Sequence, residues 1–280
     1  YINLGNVYKD LNDLRLSAEN FKKAIELEPD NANSFFALSV VLQLQQDIDG
    51  AILTQKKGVL LNQSFEAELR LAELLLKKKK NLQEALIYID KALKKKPMDA
   101  TANAYKIVVL RGLKEFKKVN TLINFSELIK TEKIQNFCNN DISIFNKNLL
   151  NCLISHPRRA IEKNLKGWAI RGGTVIRNLF EDKNYLVQTF EDLLRRAIDK
   201  YIANLPSDPN HPFLMKKPNK YRLDCWVNFL EEGDFQSNHI HNNGWMSGVY
   251  YVDVPKLKSE GDKAGWIEFN KVGYELPHFG

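Results

Sequence analysis

The sequence predicts an α+β chain of two domains, a helical solenoid followed by a domain built on an antiparallel sheet. Three observations lead to this prediction. A 34-residue repeat runs through the first part of the chain, the repeat is lost after about residue 133, and short alternating apolar segments follow a proline-rich connector. The length of 280 residues also exceeds that of one average domain.

The repeat is visible in small residues that recur at one spacing. Two sets of residues are each 34 apart, namely Ser17, Ala51 and Ala85, and Ala24, Gly58 and Ala92. Each unit shows two amphipathic helical segments with apolar positions on one face. Small side chains are expected where the two helices approach closely, and Pro29 and Pro97 stand where a second helix should stop.

This pattern resembles the tetratricopeptide repeat. It is carried first by Leu4, Gly5, Tyr8, Phe21, Ala24 and Pro29, and it returns as Ala85, Ile89, Ala92 and Pro97. A fourth, weaker copy is expected from Ala100 to about Lys130. The resemblance implies an α-solenoid over residues 1–133 whose concave surface binds a protein or peptide. A purely structural spacer is the alternative, because a repeat identifies an architecture and not a ligand.

Residues 134–280 lack this period and mix helical and strand-like segments. The stretch "GWAIRGGTVIRNLF" suggests a strand or loop, and residues 184–205 predict a helix with one apolar face. After the proline-rich connector, strands are predicted in residues 222–230, 247–255 and 264–269. We expect a helix packed on an antiparallel sheet or barrel.

The charge pattern does not favour a nucleic-acid partner. Most of the formal charge of +7 lies before residue 134, where 22 Lys and Arg stand against 17 Asp and Glu. Much of it falls in Lys77–Lys80, at an expected helix–helix turn, and in Lys94–Lys96, at an expected helix C-terminus where cations complement the dipole. Base-stacking aromatics are not interleaved with these lysines, so no nucleic-acid binding is expected.

Membrane association is not expected, because no apolar run approaches the roughly 20 residues that a membrane span needs. Cys138, Cys152 and Cys225 are odd in number and form no CxxC pair, which favours a reduced, cytoplasmic setting. The chain begins at Tyr1 and stops in a loop-like stretch, so we expect both ends to be cut. The residues do not indicate an oligomeric state.

His239 and His241 stand one residue apart, after the expected turn "EEGDFQ". In a strand, residues i and i+2 share a face and lie about 6 to 7 Å apart, so both imidazoles can converge on one metal. Neutral imidazole suits iron, zinc or copper. The alternative is a pair of solvated turn residues. His156 and His211 each precede a proline, and we expect them to serve turns or caps.

The string "GDFQSNHIHNNGWMSGVYYVDVP", followed by "GDKAGWIEF", resembles the core of the 2-oxoglutarate- and Fe(II)-dependent oxygenases. It is most similar to a bacterial group in which such a domain follows tetratricopeptide repeats. "RGGTV", "HPF" and "DCWVNF" carry the same resemblance. The resemblance implies that residues 134–280 form a double-stranded β-helix, or jelly roll, with flanking helices and an incomplete C-terminus.

The resemblance also implies roles for single residues. His239 and His241 take the first two positions of the family's His-x-Asp/Glu...His iron triad, with His241 standing where a carboxylate is usual, and the residues leave open whether His241 ligates. Tyr251 matches a tyrosine that hydrogen-bonds a carboxylate of 2-oxoglutarate, and Asn228 is a further candidate for that pocket. No side chain is assigned as a catalytic acid, base or nucleophile. The third ligand and the cosubstrate-binding arginine are expected beyond residue 280, and His278 is interpreted as a surface loop residue.

The activity implied is a dioxygenase that hydroxylates a substrate while converting 2-oxoglutarate to succinate and carbon dioxide. The attached solenoid favours a protein or peptide substrate. The fragment alone is expected to be inactive, because the cosubstrate clamp is absent from it. Two alternatives stay open: a catalytically inactive scaffold that binds a protein partner, and a cupin-like metal enzyme that does not use 2-oxoglutarate.

Overall fold

The structure is a computed structural model that describes residues 1–78, 81–137, 140–159, 169–254 and 263–269, together with Lys271 and Pro277. Its contacts divide the chain into two units, one spanning Tyr1–Leu122 and the other beginning at Ile123. Predictions that concern Lys79, Lys80, Cys138 and His278 lie outside the described residues. Within the described ranges, no helix is long and apolar enough to cross a bilayer.

The first unit is a succession of helices in which each packs mainly on its neighbours in sequence. They are α1 (Ile2–Asp10), α2 (Leu14–Leu27), α3 (Ala32–Leu44), α4 (Ile48–Leu61), α5 (Phe65–Lys77), α6 (Leu82–Lys95), α7 (Ala100–Gly112) and α8 (Phe116–Leu122). The second helix of each pair begins 34 residues after the previous one, at Leu14, Ile48, Leu82 and Phe116. The predicted α-solenoid of helix pairs is therefore confirmed.

Local chemistry explains why three of the helix pairs turn at the same place. A left-handed residue separates the two helices of three pairs, with φ of 62°, 66° and 61° at Asn12, Gln46 and Lys114. In the first two of these pairs an aspartate then caps the next helix: Asp13 accepts the N–H of Leu16, and Asp47 accepts that of Gly50. These side chains satisfy backbone donors that a helix start leaves unpaired.

Close approach at the small residues is confirmed. A Cβ on Gly58 of α4 would collide with the ring of Phe36 in α3, and one on Gly5 of α1 would lie 2.8 Å from the ring of Phe21 in α2. Fully buried positions at the predicted spacing are Ser17, Ala51 and Ala85. The repeated small residues therefore set the distance between the paired helices.

The fourth repeat is shorter than the sequence predicts. Its second helix, α8, ends at Leu122 instead of near Lys130, and the next helix, α9 (Phe125–Leu128), belongs to the second unit. Val119 is the buried residue of α8. A helix with so small an apolar face gains little from being extended, since tertiary packing supplies most helix stability.

Four lysines of the two basic runs form ion pairs inside the solenoid. Lys77 lies 2.9 Å from Glu73, and Lys78 pairs with Asp49. At the end of α6, Lys95 pairs with Glu68 and Lys96 lies 2.7 Å from Glu66, both on α5. Lys77 therefore neutralises a carboxylate of its own helix, and the other three lysines neutralise carboxylates of the preceding helix.

The second unit combines helices with three short antiparallel strand pairs in its described part. After α9 its elements are β1 (Asn136–Phe137), β2 (Asn140–Asp141), α10 (Ile142–Ile154), β3 (Ile170–Arg171), β4 (Thr174–Ile176), a 3-10 turn (Leu179–Glu181), α11 (Tyr185–Asn204), β5 (Val227–Phe229) and β6 (Phe235–Gln236). The core is formed by Phe137, Phe145, Leu149, Leu153, Ile176, Leu179, Val187, Phe190 and Leu193. The predicted helix at residues 184–205 is confirmed as α11.

Strand β4 pairs with β5, and β3 pairs with β6. The alternation predicted for residues 222–230 is confirmed around β5, because Cys225, Val227 and Phe229 pack against the core. Asn228 is opposite Val175 in the ladder. Because successive side chains of a strand point to opposite faces, Asn228 lies on the face away from the core.

Two predicted strands differ in the structure. Residues 247–254 and 264–269 form no strand ladder within the described part of the chain. The face alternation of the first segment is nevertheless present, since Tyr250 and Val252 pack on the core while Val249 and Tyr251 are 59% and 46% exposed. A strand requires a hydrogen-bonded partner as well as alternation, so the jelly roll stays a prediction.

His156 and His211 serve turns, as predicted. The Nδ1 atom of His156 accepts the N–H of Arg158, and that of His211 accepts the N–H of Phe213, each at 3.1 Å. Because Nδ1 of His156 accepts, its Nε2 carries the proton and donates to Asp182 at 2.7 Å.

Candidate metal centre

The two candidate histidines follow directly from an antiparallel ladder. Beyond the pairing of β3 with β6, the N–H and hydroxyl of Ser237 both donate to the Ala169 carbonyl, at 2.8 and 3.0 Å. Ser237 is buried. His239 comes two residues later, so the backbone that carries it starts from a fixed point of the sheet.

A tight turn leads into β6, as the sequence predicts. The Oδ2 atom of Asp234 accepts the N–H of Glu231 at 2.9 Å, and Gly233 between them has φ of 89°. Gly172 has φ of 79°, and a Cβ there would collide with the Asp234 carboxylate. Gly172, the first glycine of "RGGTV", therefore lets the β3–β4 connection pass against this turn.

The histidine pair lies beyond the end of β6 and not on a strand, which corrects the expected placement. The rings are nevertheless brought together. The Nε2 atoms of His239 and His241 are 3.1 Å apart, and the ring centroids are 4.8 Å apart at 66°. In the described chain these two residues have no strand partner. Contacts of the imidazole rings, and not strand alternation, therefore orient them.

His239 is held by the backbone of Ser237. Its Nδ1 atom lies 2.7 Å from the Ser237 carbonyl oxygen, which can only accept, so Nδ1 carries the proton. The Nε2 atom therefore keeps its lone pair and faces His241. A backbone carbonyl that fixes the tautomer in this way is the usual support for a metal-binding imidazole.

His241 is held by an aromatic ring. Its imidazole stacks on the indole of Trp226, with centroids 5.5 Å apart and planes at 24°. Burial, and then the neighbouring His239, lower the pKa of His241 below its ordinary value. The imidazole is therefore neutral around pH 7, which is the form that binds a metal.

The pair fits two positions of a metal site. Two nitrogens about 2.1 Å from one ion and at a right angle are about 3.0 Å apart, and the observed separation is 3.1 Å. Imidazole nitrogens suit iron, zinc and copper. Among the described residues, no group of three or more His, Cys, Asp or Glu is placed to hold a metal.

The two cosubstrate candidates are placed as follows. The Tyr251 hydroxyl donates to the Gly265 carbonyl at 2.8 Å, on a side chain that is 46% exposed. Asn228 is half-buried on β5, two residues after Trp226. Trp226 lies inside the motif "DCWVNF", but the sequence analysis gave it no role.

Two family models match the chain. Residues 224–277 match a family described as "Putative 2OG-Fe(II) oxygenase", and residues 5–46 match "TPR repeat". The chain thus carries a tetratricopeptide repeat near its N-terminus and a domain of the 2-oxoglutarate–Fe(II) oxygenase type in its C-terminal part, as the resemblances predict. All four candidate residues lie in the oxygenase match: Asn228, His239, His241 and Tyr251.

Three solved structures are similar to part of the chain. MamA is 22% identical, with a TM-score of 0.40, over 42% of this chain and 70% of that chain. YrrB, described as "a TPR protein with an unusual peptide-binding site", is 20% identical, with a TM-score of 0.41, over 45% and 64%. PilW, a "type IV pilus biogenesis factor", is 20% identical, with a TM-score of 0.39, over 45% and 58%. No curated protein matches the chain.

Proposed function

We propose that this chain belongs to a 2-oxoglutarate- and Fe(II)-dependent dioxygenase in which a protein-binding solenoid, residues 1–133, precedes an oxygenase domain, residues 134–280. The observation that carries the proposal is the 3.1 Å separation of the His239 and His241 Nε2 atoms, within the segment that matches the oxygenase family. Bound iron(II) and 2-oxoglutarate would supply dioxygen-dependent hydroxylation, with succinate and carbon dioxide as coproducts.

The two histidines have distinct tasks in this proposal. His239 presents the Nε2 lone pair, and the Ser237 carbonyl keeps the proton on Nδ1. His241 presents a second neutral nitrogen where the family more often has a carboxylate. The pair therefore adds no negative charge, and the remaining ligands and the cosubstrate carboxylates have to neutralise the cation.

Tyr251 and Asn228 are proposed to bind the cosubstrate. The Tyr251 phenol is exposed and has an O–H that can leave the Gly265 carbonyl for a carboxylate. A hydrogen bond to an ionised acceptor is stronger than one to a neutral carbonyl, so the exchange is favourable. Asn228 can add amide donors from the face of β5 that is turned away from the core.

The solenoid is proposed to bind a protein or peptide, because stacked helix pairs present an extended surface. The substrate is then a protein or peptide that the solenoid binds. Cys152 and Cys225 are free thiols, which is compatible with a reducing, cytoplasmic compartment. We propose no nucleic-acid or membrane partner.

Succinate formation tests the proposal. Full-length protein with Fe(II), dioxygen and 2-oxoglutarate should form succinate even without substrate, and His239→Ala should abolish it. Asn243→Ala is a matched control, since Asn243 is an exposed residue of the same segment. Metal binding without succinate would favour the cupin-like alternative. Absence of both would favour the inactive scaffold.

A further inference from the structure

We infer that Trp226 is a positioning residue for His241, and that its indole keeps the imidazole turned so that Nε2 faces His239. The inference deepens the proposed metal site and rests on it. It starts from a difference between the two histidines. The imidazole of His239 has a hydrogen bond from Nδ1 to the Ser237 carbonyl, whereas the polar contact of the His241 imidazole within the described chain is the one between its Nε2 and that of His239.

A histidine without a partner at Nδ1 has little to fix its ring rotation. The torsion about the bond to the ring is broad and roughly two-fold, so rotation would move Nε2 away from His239. The stack on Trp226 opposes this motion, because the planes lie at only 24° with centroids 5.5 Å apart. Turning the imidazole out of this plane would lose the contact.

Trp226 is itself held in place from the sheet. It directly precedes β5, whose Val227 is opposite Ile176 in the ladder. Its neighbours Cys225 and Val227 pack against the core, so the alternation directs the indole to the other face. The residue is 44% exposed. An indole that is neither in the core nor free in solvent, and that stacks on a candidate ligand, has a role beyond core packing.

The two candidate ligands would then be oriented from two different strands. His239 takes its orientation from the end of β6 through Ser237, and His241 takes its orientation from the start of β5 through Trp226. Removing a residue that orients a metal ligand typically weakens metal binding by about 10–100-fold. The same order of loss is expected when the stack on His241 is removed.

Nickel(II) titration of the full chain tests the inference. Nickel binds nitrogen ligands more tightly than iron(II) and is stable in air. Calorimetry measures nickel binding by the wild type and by His239→Ala, and the difference between them is the binding due to the histidine pair. Trp226→Ala and Trp226→Leu should weaken that binding about tenfold or more, while Trp226→Phe, which keeps a ring, should retain most of it. Trp266→Ala, which removes an indole that is 63% exposed, should leave it unchanged.

Fluorescence supplies a readout that a general loss of stability would not move. Nickel bound at the pair should quench Trp226, so Trp226→Phe should lose most of the quenching while still binding the metal. The leucine variant keeps apolar volume, so it distinguishes a lost ring from a lost fold. Wild-type affinity in Trp226→Leu would overturn the inference and leave the metal site standing. Equal nickel binding by the wild type and His239→Ala would overturn both.

Discussion

The imidazole of His239 is hydrogen-bonded to the backbone of Ser237, with Nδ1 2.7 Å from the carbonyl oxygen. Ser237 is in turn bonded through its N–H and its hydroxyl to Ala169. The sheet therefore fixes the backbone two residues before His239, and this backbone orients the candidate ligand. This arrangement connects the stability of the strand end to the geometry of the site.

Ser237→Ala should destabilise the second unit by about 1 kcal/mol, the usual contribution of one buried hydrogen bond. The hydroxyl bond to Ala169 is lost while the backbone bond stays. All four tryptophans follow Ile123, so tryptophan fluorescence in urea reports this unit and not the solenoid. Ser247→Ala, at an exposed position, is the control. Equal midpoints for the two variants would show that the hydroxyl adds no stability.

Gly58→Ala should destabilise the solenoid by about 1–2 kcal/mol. An added Cβ collides with the Phe36 ring, and overpacking typically costs about 1–3 kcal/mol, whereas the gain in helix propensity is at most about 1 kcal/mol. Far-UV circular dichroism in urea measures the change. The double variant with Phe36→Leu should recover part of the loss. A single variant more stable than the wild type would contradict the close approach.

Lys95→Met should destabilise the solenoid by about 1–3 kcal/mol, because it leaves the Glu68 carboxylate buried without its cation. The Glu68 side chain is 1% exposed and that of Lys95 is 38% exposed, so the cost is below that of a fully buried pair. Lys23→Met, which breaks an exposed pair with Glu26, should have no measurable effect. Adding Glu68→Gln to the first variant should recover stability, and a failure to do so would point to lost packing instead.

Acid should weaken the second unit through Asp182. The N–H of Asn184, and then His156, lower the pKa of this carboxyl. A depressed pKa means that the stabilisation is complete above the unfolded value of about 3.9 and is lost as the pH falls through the lower folded value. The fluorescence midpoint should therefore drop on acidification, and Asp182→Asn should flatten that dependence. Asp253→Asn, an exposed control, should keep it.

Cys225 should resist thiol reagents in the native protein. Burial, and then Glu191, raise the pKa of its thiol to about 12, and the thiolate is the reactive form. Iodoacetamide at pH 8 followed by peptide mass spectrometry should show Cys225 unmodified under native conditions and modified in urea. Rapid native labelling would mean that the segment just before β5 opens readily.

The solenoid was predictable because its contacts are local. Each helix packs mainly on its neighbours in sequence, so the spacing of Ser17, Ala51 and Ala85 already contains the geometry. The early end of α8 was not predicted, because it depends on how much apolar surface the last pair can bury. The helix at residues 184–205 was predicted for the same local reason, through its single apolar face.

The sequence by itself determined the helix period, the histidine pair and the candidate residues Tyr251 and Asn228, because each is a short string whose pattern is independent of distant partners. Only the tertiary structure decided how the pair is held. The contact between Ala169 and Ser237 joins residues 68 apart in the chain. The stack of Trp226 on His241 joins the residue before β5 to the segment after β6. Such pairings depend on how the strands close around a common core, and no local pattern of side chains specifies that closure.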